Sequence, residues 1–197
     1  GLKGLHYFYL TQVKIKQPRG NLILPWWREV DEFVIDEYYE ATRLGLDICI
    51  YKRRGIGLSA LFGAGVPLWK AMTEPGSTSL LTSNNRSKTD AANFESERAN
   101  HAFIDELFLH DYASEVRQSI QACLQDDFEK IAPVVFGGSA GIVSENGIKE
   151  AELMWKNASD MNVRTVFIPG TRGVSRAPEY DEKGNQTGRL YNFCPNG

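Results

Sequence analysis

Three cysteines, three histidines and three methionines in 197 residues leave little room for several kinds of chemistry. Cys49, Cys123 and Cys194 are scattered, form no C-x-x-C pair and are odd in number, which argues against a disulfide framework. Cys49 falls in an apolar strand and Cys123 on a helix, the settings of reduced core thiols in a cytosolic compartment. The histidines are isolated and have no metal-ligand spacing. No apolar run approaches the roughly 20 residues that span a bilayer, and the N-terminus has no signal-peptide pattern. The net charge of −3 gives no chain-wide excess of cations for a nucleic acid to meet. Local patches remain, at Lys14, Lys16 and Arg19 and at Arg172 and Arg176, although solvated loops are the simpler reading of both. The chain opens on glycine rather than methionine and closes on Asn-Phe-Cys-Pro-Asn-Gly, the ends expected of an excised segment.

What is present is the composition of a soluble globular protein, 42% hydrophobic and 24% charged, long enough for one domain or one with a small appendage. Residues 5–16 are rich in aromatic and β-branched side chains and predict one or two edge strands. After the turn Gln17-Pro-Arg-Gly20 and Pro25-Trp-Trp, the residues Val30, Phe33, Val34, Tyr38, Ala41 and Leu44 share one helical face, with Gly45 as the C-cap. The apolar run Ile48-Cys-Ile-Tyr51 predicts a buried strand. The helix expected after Ser59 is interrupted by Gly63, Gly65 and Pro67, so it should be short or kinked. Thr78–Ser83 reads as a buried strand, and residues 84–100 as a polar loop. His101–Glu106 is a strand ending in two acids. Asp111 can N-cap a helix carrying Val116, Ile120, Cys123 and Leu124. Ala132–Phe136 is another buried strand, opening into Gly137-Gly-Ser-Ala-Gly141. Ile148, Ala151, Met154 and Trp155 outline a helix, and Val163–Ile168 a last strand. From Thr171 onward the composition predicts mostly loop. Short apolar strands alternating with helices argue an α/β domain with a mainly parallel sheet flanked by helices. Ligands of such sheets sit beyond the carboxyl ends of the strands.

Three polar elements would open onto that edge. The first is Lys52-Arg-Arg-Gly-Ile-Gly-Leu-Ser59, with a buried strand before it, glycines within it and a helix after it, the order of parts in a phosphate-binding loop. The standard pattern is G-x-x-x-x-G-K-[ST]. Here Leu58 stands where the lysine belongs and Lys52 where the first glycine belongs. Lys52, Arg53 and Arg54 supply cations, Gly55 and Gly57 let the backbone turn closely, and Ser59 offers a hydroxyl to a metal. A basic turn before a helix is the plain alternative. The second element is Asp105-Glu106. Nucleotide hydrolysis needs one carboxylate for the metal's water shell and another to polarise water as general base. A strand that ends in solvated acids is the plain alternative here. The third, Gly137 to Gly141, could place the Ser139 hydroxyl near a terminal phosphate, or be only a flexible connection.

The order of the three resembles one family in particular. Lys-Arg-Arg-Gly-Ile-Gly-Leu-Ser, then Ala-Phe-Ile-Asp-Glu, then Val-Val-Phe-Gly-Gly-Ser-Ala-Gly looks like the ATPase domain of the large terminase subunit of tailed bacteriophages. The resemblance covers most of residues 5–168 and implies a P-loop NTPase of the additional-strand, conserved-glutamate type. Some members carry the phosphate-loop lysine at the loop's start, which Lys52 matches. The resemblance implies that Lys52, Arg53, Arg54, Gly55, Ile56, Gly57, Leu58 and Ser59 form the Walker A loop around ATP. It implies Asp105 with Ser59 as the Mg²⁺ ligands, Glu106 and Lys52 as catalytic groups, and Ser139 as the centre of the motif coupling hydrolysis to movement. It also implies a lead-in at 1–28 with an adenine-contacting region, where Trp26 or Trp27 could stack, although buried aromatics are the default for such residues. An ATPase core at 29–170 and a loop-rich segment at 171–197 complete the division.

An arginine finger is expected, with Arg53, Arg54, Arg86 and Arg98 as candidates. Implied partners are double-stranded DNA, the portal protein, the small terminase subunit and further copies in a ring on the procapsid, in the host cell cytoplasm and without a membrane. The isolated domain could be monomeric. Two features depart from the family. Asp105 lies closer to Ser59 than expected, and the acids of a C-terminal nuclease domain are absent, so no DNA cleavage is expected. A nucleotide- or DNA-binding assembly module with little hydrolysis is the reading of a different class. A small-molecule kinase lacks support, because no acceptor-binding lid is evident.

Overall fold

The computed structural model describes residues 4–16, 20–82, 98–126, 129–139, 145–170, 175–180 and 186–193. Leu5, Phe8, Tyr9 and Val13 recur at the three-and-four spacing of one helix face, and all four are buried. That spacing overrides the composition on which an edge strand is expected. Gly4–Gln12 is helix α1, and strand pairing is confined to Ile15–Lys16 (β1), antiparallel with Leu22–Ile23 (β2). Helix α2 (Glu29–Leu44) follows its predicted face through Val30, Val34, Tyr38 and Ala41, while Leu44 is exposed at its end. Gly45 at φ 66° takes the left-handed turn, and Leu46 N–H donates to the Ala41 carbonyl at 2.9 Å.

Strand β3 (Asp47–Lys52) leads through the glycine turn into an interrupted helix. Helix α3 (Leu58–Ala60) widens into a π-turn at Leu61–Gly65 and resumes as α4 (Val66–Thr73). Pro67 has no N–H to offer the Gly63 carbonyl and its ring would crowd that oxygen, so the helical ladder is loosened there. Gly65 also admits α1, since a Cβ on it would lie 3.0 Å from Tyr9 Cδ2. Next come β4 (Ser79–Thr82), β5 (His101–Ile104), a 3₁₀ turn at Leu107–Leu109 and α5 (Ala113–Cys123). A short antiparallel pair, β6 (Gln125–Asp126) and β7 (Glu129–Lys130), precedes β8 (Val134–Ser139), α6 (Glu145–Lys156) and β9 (Val163–Ile168).

Five of these strands form one parallel sheet in the order β4-β5-β8-β3-β9. Strand β8 is buried throughout, as a central strand covered on both faces must be. It lies between β3, which carries the glycine turn, and β5, which carries the acids. An extra strand between those two is the arrangement of the additional-strand P-loop fold, and the chain has that α/β architecture. One core packs α1, α2 and the π-turn on one face through Leu5, Val34, Tyr38, Ile50 and Phe62. The other packs α5 and α6 on the opposite face through Ile104, Ile120, Phe136 and Met154. Asp47, fully buried at the start of β3, accepts from Val134 N–H at 2.7 Å, Gln121 Nε2 at 2.6 Å and Lys130 Nζ at 2.5 Å. A carboxylate is tolerated in that interior because its oxygens are supplied with donors.

The structure departs from the sequence reading elsewhere. Strand β4 is the sheet edge, with Leu80 buried and Leu81 exposed, rather than a buried strand. Residue Tyr112, not Asp111, is the N-cap of α5, and it makes no side-chain cap bond. Ile148 and Trp155 are exposed; α6 turns Glu150 and Met154 inward, where Glu150 pairs with Arg117. Strand β8 runs through Gly137, Gly138 and Ser139, which were expected to open a loop. Within the segment expected to be loop, β10 (Ser175–Tyr180) and β11 (Gln186–Phe193) pair antiparallel with an irregularity between Pro178 and Tyr180. The expected polar loop falls, over 83–97, outside the described residues.

The two β8 glycines answer to packing. A Cβ on Gly138 would lie 2.3 Å from the buried Phe108 ring, and one on Gly137 would lie 3.2 Å from Phe103. Gly138→Ala should therefore cost about 1–3 kcal/mol in urea unfolding, as overpacking does. Adding Phe108→Leu should return part of that loss. Gly63→Ala, whose Cβ would meet Phe103 at an ordinary 3.8 Å, should cost less. Equal losses at Gly138 and Gly63 would count against this packing.

Candidate active site

Because β3, β5 and β8 are parallel neighbours, their carboxyl ends deliver the three polar elements to one edge of the sheet. Lys52 and Ser139 are directly paired in the β3–β8 register, so their side chains leave the sheet on the same face. Lys52 is 5% exposed, with its ammonium brought to Glu106 Oε1 at 3.0 Å. The Ser139 hydroxyl lies 2.9 and 2.7 Å from the two Glu106 oxygens, and Ser139 N–H donates to Oε2 at 3.1 Å. Glu106 itself sits at φ 54°, ψ 45°, a left-handed conformation that strains a side-chain-bearing residue. That turn divides the two acids. Glu106 swings over β8, and Asp105 faces the glycine loop, where its Oδ2 accepts from Ser59 Oγ at 2.5 Å.

Burial alone would raise the Glu106 pKa, but the Ser139 hydroxyl, the Lys52 ammonium and Ser139 N–H outweigh it and hold the carboxyl below the usual glutamate range. Asp105 Oδ1 is buried without a hydrogen-bond partner. An orphaned carboxylate oxygen beside a serine hydroxyl is a hard-oxygen pair suited to Mg²⁺, which keeps most of its shell as water and phosphate. Among the described residues no group of three or more His, Cys, Asp or Glu forms a fuller metal cage.

The loop turns on Gly55 at φ 72° and Gly57 at φ 84°, both left-handed, which only glycine enters freely. Ile56 and Leu58 belong to the core, not to the ligand surface. Their side chains cannot reach a phosphate, so only their backbone could serve a nucleotide. Position 58, where the standard pattern has lysine, points into the interior here. Arg53 Nη1 donates to the Arg54 carbonyl at 3.3 Å, while its Nε and Nη2 are buried and meet no acceptor. Arg54 and Arg98 are exposed, and Arg86 lies outside the described residues, as do positions 140 and 141 of the third element. Trp26 and Trp27 are 56% and 55% exposed, against the expectation of buried aromatics.

One residue at the site went unread in the sequence. Arg28, 5% exposed at the start of α2, donates through Nε and Nη2 to both oxygens of Asp31, at 2.9 and 2.6 Å, and through Nη2 to the Ile56 carbonyl at 2.8 Å. The local signal was Arg-x-x-Asp across a helix start; its reach to the loop was not in the sequence.

No protein-family model matches the chain, and no curated protein matches it. Two solved structures of Thermotoga maritima RuvB mutants are similar over 72% of this chain, at 17% and 18% identity and a TM-score of 0.40 for each. The chain spans about half the length of those proteins, covering 46% and 48% of them. The fold assignment rests on the strand order and loop geometry rather than on this likeness.

The lowered Glu106 pKa has a signed consequence. A carboxylate whose folded-state pKa lies below its unfolded value adds stability that is complete above the unfolded pKa and is lost as pH falls through the folded one. Wild type should therefore exceed Glu106→Gln in stability at neutral pH, with the gap closing in strong acid. Urea denaturation across pH measures this, and a gap independent of pH would contradict it.

Proposed function

We propose that this chain is a Mg²⁺-dependent ATPase domain of a viral DNA-packaging motor, of the large terminase subunit type. The observation that carries the reading is the gathering of two hydrogen-bonded groups at the ends of three neighbouring parallel strands, Lys52–Glu106–Ser139 and Ser59–Asp105, supplied by the adjacent acids that follow β5. The glycine loop would present its N–H groups to the phosphates. Ser59 and Asp105 would hold Mg²⁺, which when bound neutralises phosphate charge. Lys52 would exchange Glu106 for phosphate oxygen, its long stem allowing the move from the loop's entrance. Released from Lys52, Glu106 would take a proton from the attacking water. Ser139, bonded to Glu106 by both hydroxyl and N–H, would report that change along β8. Double-stranded DNA, the portal protein, the small terminase subunit and a ring of copies on the procapsid in the host cytoplasm are the partners and setting this proposal implies.

A second reading, a nucleotide- or DNA-binding assembly module with little hydrolysis, is favoured by one observation. Each Glu106 oxygen already carries a hydrogen bond, which leaves it a poor base in this arrangement. Steady-state ATPase assays with and without DNA, at protein concentrations high enough for ring assembly, separate the two. Under the motor reading Glu106→Gln should bind nucleotide nearly as wild type does while losing about 100-fold or more in turnover, the scale of general-base catalysis. Equal rates for that variant and wild type would remove Glu106 from the chemistry. Lys52→Ala should weaken ATP binding more than Arg53→Ala; the reverse order would assign the phosphate contact to the arginine.

A further inference from the structure

We propose that Arg28 is a positioning residue for phosphate recognition, setting which way the Ile56–Gly57 peptide faces. The inference rests on the nucleotide reading above and extends it to a residue outside the loop. Arg28 and Asp31 are both buried, and a buried ion pair gains little stability over apolar side chains of similar size. What apolar side chains could not supply is the third bond, from Arg28 Nη2 to the Ile56 carbonyl at 2.8 Å. It crosses from the start of α2 to the middle of the loop, between its two left-handed glycines.

The consequence follows from peptide geometry. A trans peptide holds its C=O and N–H on opposite sides, and no cis peptide occurs in the described residues. With the Ile56 side chain and carbonyl both drawn inward, Gly57 N–H must face out toward the side of the half-buried Gly57 and exposed Ser59. A flipped peptide would present a carbonyl oxygen to an anion instead. Flipping this peptide changes ψ of Ile56 and φ of Gly57, and Gly57, which lacks a Cβ and sits at φ 84°, accepts either sign of φ, so steric resistance on that side is small. Arg28 supplies the resistance, because a flip would strip an acceptor from a buried guanidinium. Asp31, held at two points, fixes the guanidinium plane that makes the reach possible.

The test compares two buried pairs. Arg28→Met with Asp31→Leu removes both charges together, which avoids stranding one of them. Arg117→Met with Glu150→Leu does the same to a largely buried pair that joins α5 to α6 on the opposite face of the sheet. Affinity for Mg²⁺ with a non-hydrolysable ATP analogue, AMP-PNP, is measured by calorimetry alongside thermal unfolding. The Arg28/Asp31 variant should bind about tenfold or more weakly, the scale of one well-placed hydrogen bond, and the Arg117/Glu150 variant as wild type does. Equal affinity of the Arg28/Asp31 variant and wild type, or equal losses in both variants, would overturn the proposal. A second measurement needs no variant: in wild type the Gly57 amide resonance should shift on adding Mg²⁺ and AMP-PNP, and its failure to move while binding occurs would also overturn it. Absence of binding by wild type would instead defeat the nucleotide reading, and this proposal with it.

Discussion

The fully buried carboxylate of Asp47 holds the lower end of the site's scaffold. By accepting the Val134 N–H, it pins the start of β3 against the start of β8, and Gln121 and Lys130 complete its partners from α5 and β7. Side chains alternate along a strand, so a slip of one residue would carry every core residue of β3 to the wrong face. With the register held, Ile48 pairs with Val135, and the same ladder ends with Lys52 beside Ser139. The arrangement of side chains at the top of the sheet thus shares one register with a bond at its bottom, on a strand buried along nearly all its length.

At that top edge the dominant force is electrostatic, and it acts among few groups. Lys52 is almost wholly buried, an arrangement that requires an anion beside it. Glu106 is that anion here, and it enters the position only by accepting a left-handed backbone at φ 54°. Strain of this kind persists where the surroundings over-determine it. Here Ser139 does so with two donors and Lys52 with a third. The neighbouring acid is treated oppositely, with one oxygen on Ser59 and the other left without a donor. Two adjacent carboxylates thus have different environments, which is what separate roles in phosphate chemistry demand.

Strongly apolar runs made the five sheet strands legible, and strand-helix alternation made their parallel direction legible, but not their order. The residues that follow β3 and β5 were readable for the same reason, since hydrophobic runs that break into glycine, cation or acid mark strand ends. Helix α1 was not, because nearly every residue from Leu5 to Leu10 is apolar or aromatic and two periodicities fit at once. The β10–β11 pair was hidden by proline, glycine and charge, a composition poor in the β-branched and aromatic residues that mark strands. The inward face of α6 was not evident because Glu150 is buried on it against Arg117, a partner on another helix, while Ile148 and Trp155 are exposed. Arg28 stayed invisible because its meaning lies in a carbonyl 28 positions away.

By itself, then, the sequence determined the α/β class, the parallel alternation and which segments would meet at a strand edge, because these follow from local hydrophobicity and turn residues. Tertiary structure alone decided what those segments do to one another. It turned Leu58 into the core, paired Lys52 with Glu106, split Asp105 from Glu106 through one left-handed residue and tied Arg28 to the loop. Each of these depends on register and burial across strands far apart in the chain, and periodicity along a single strand carries no record of what lies beside it.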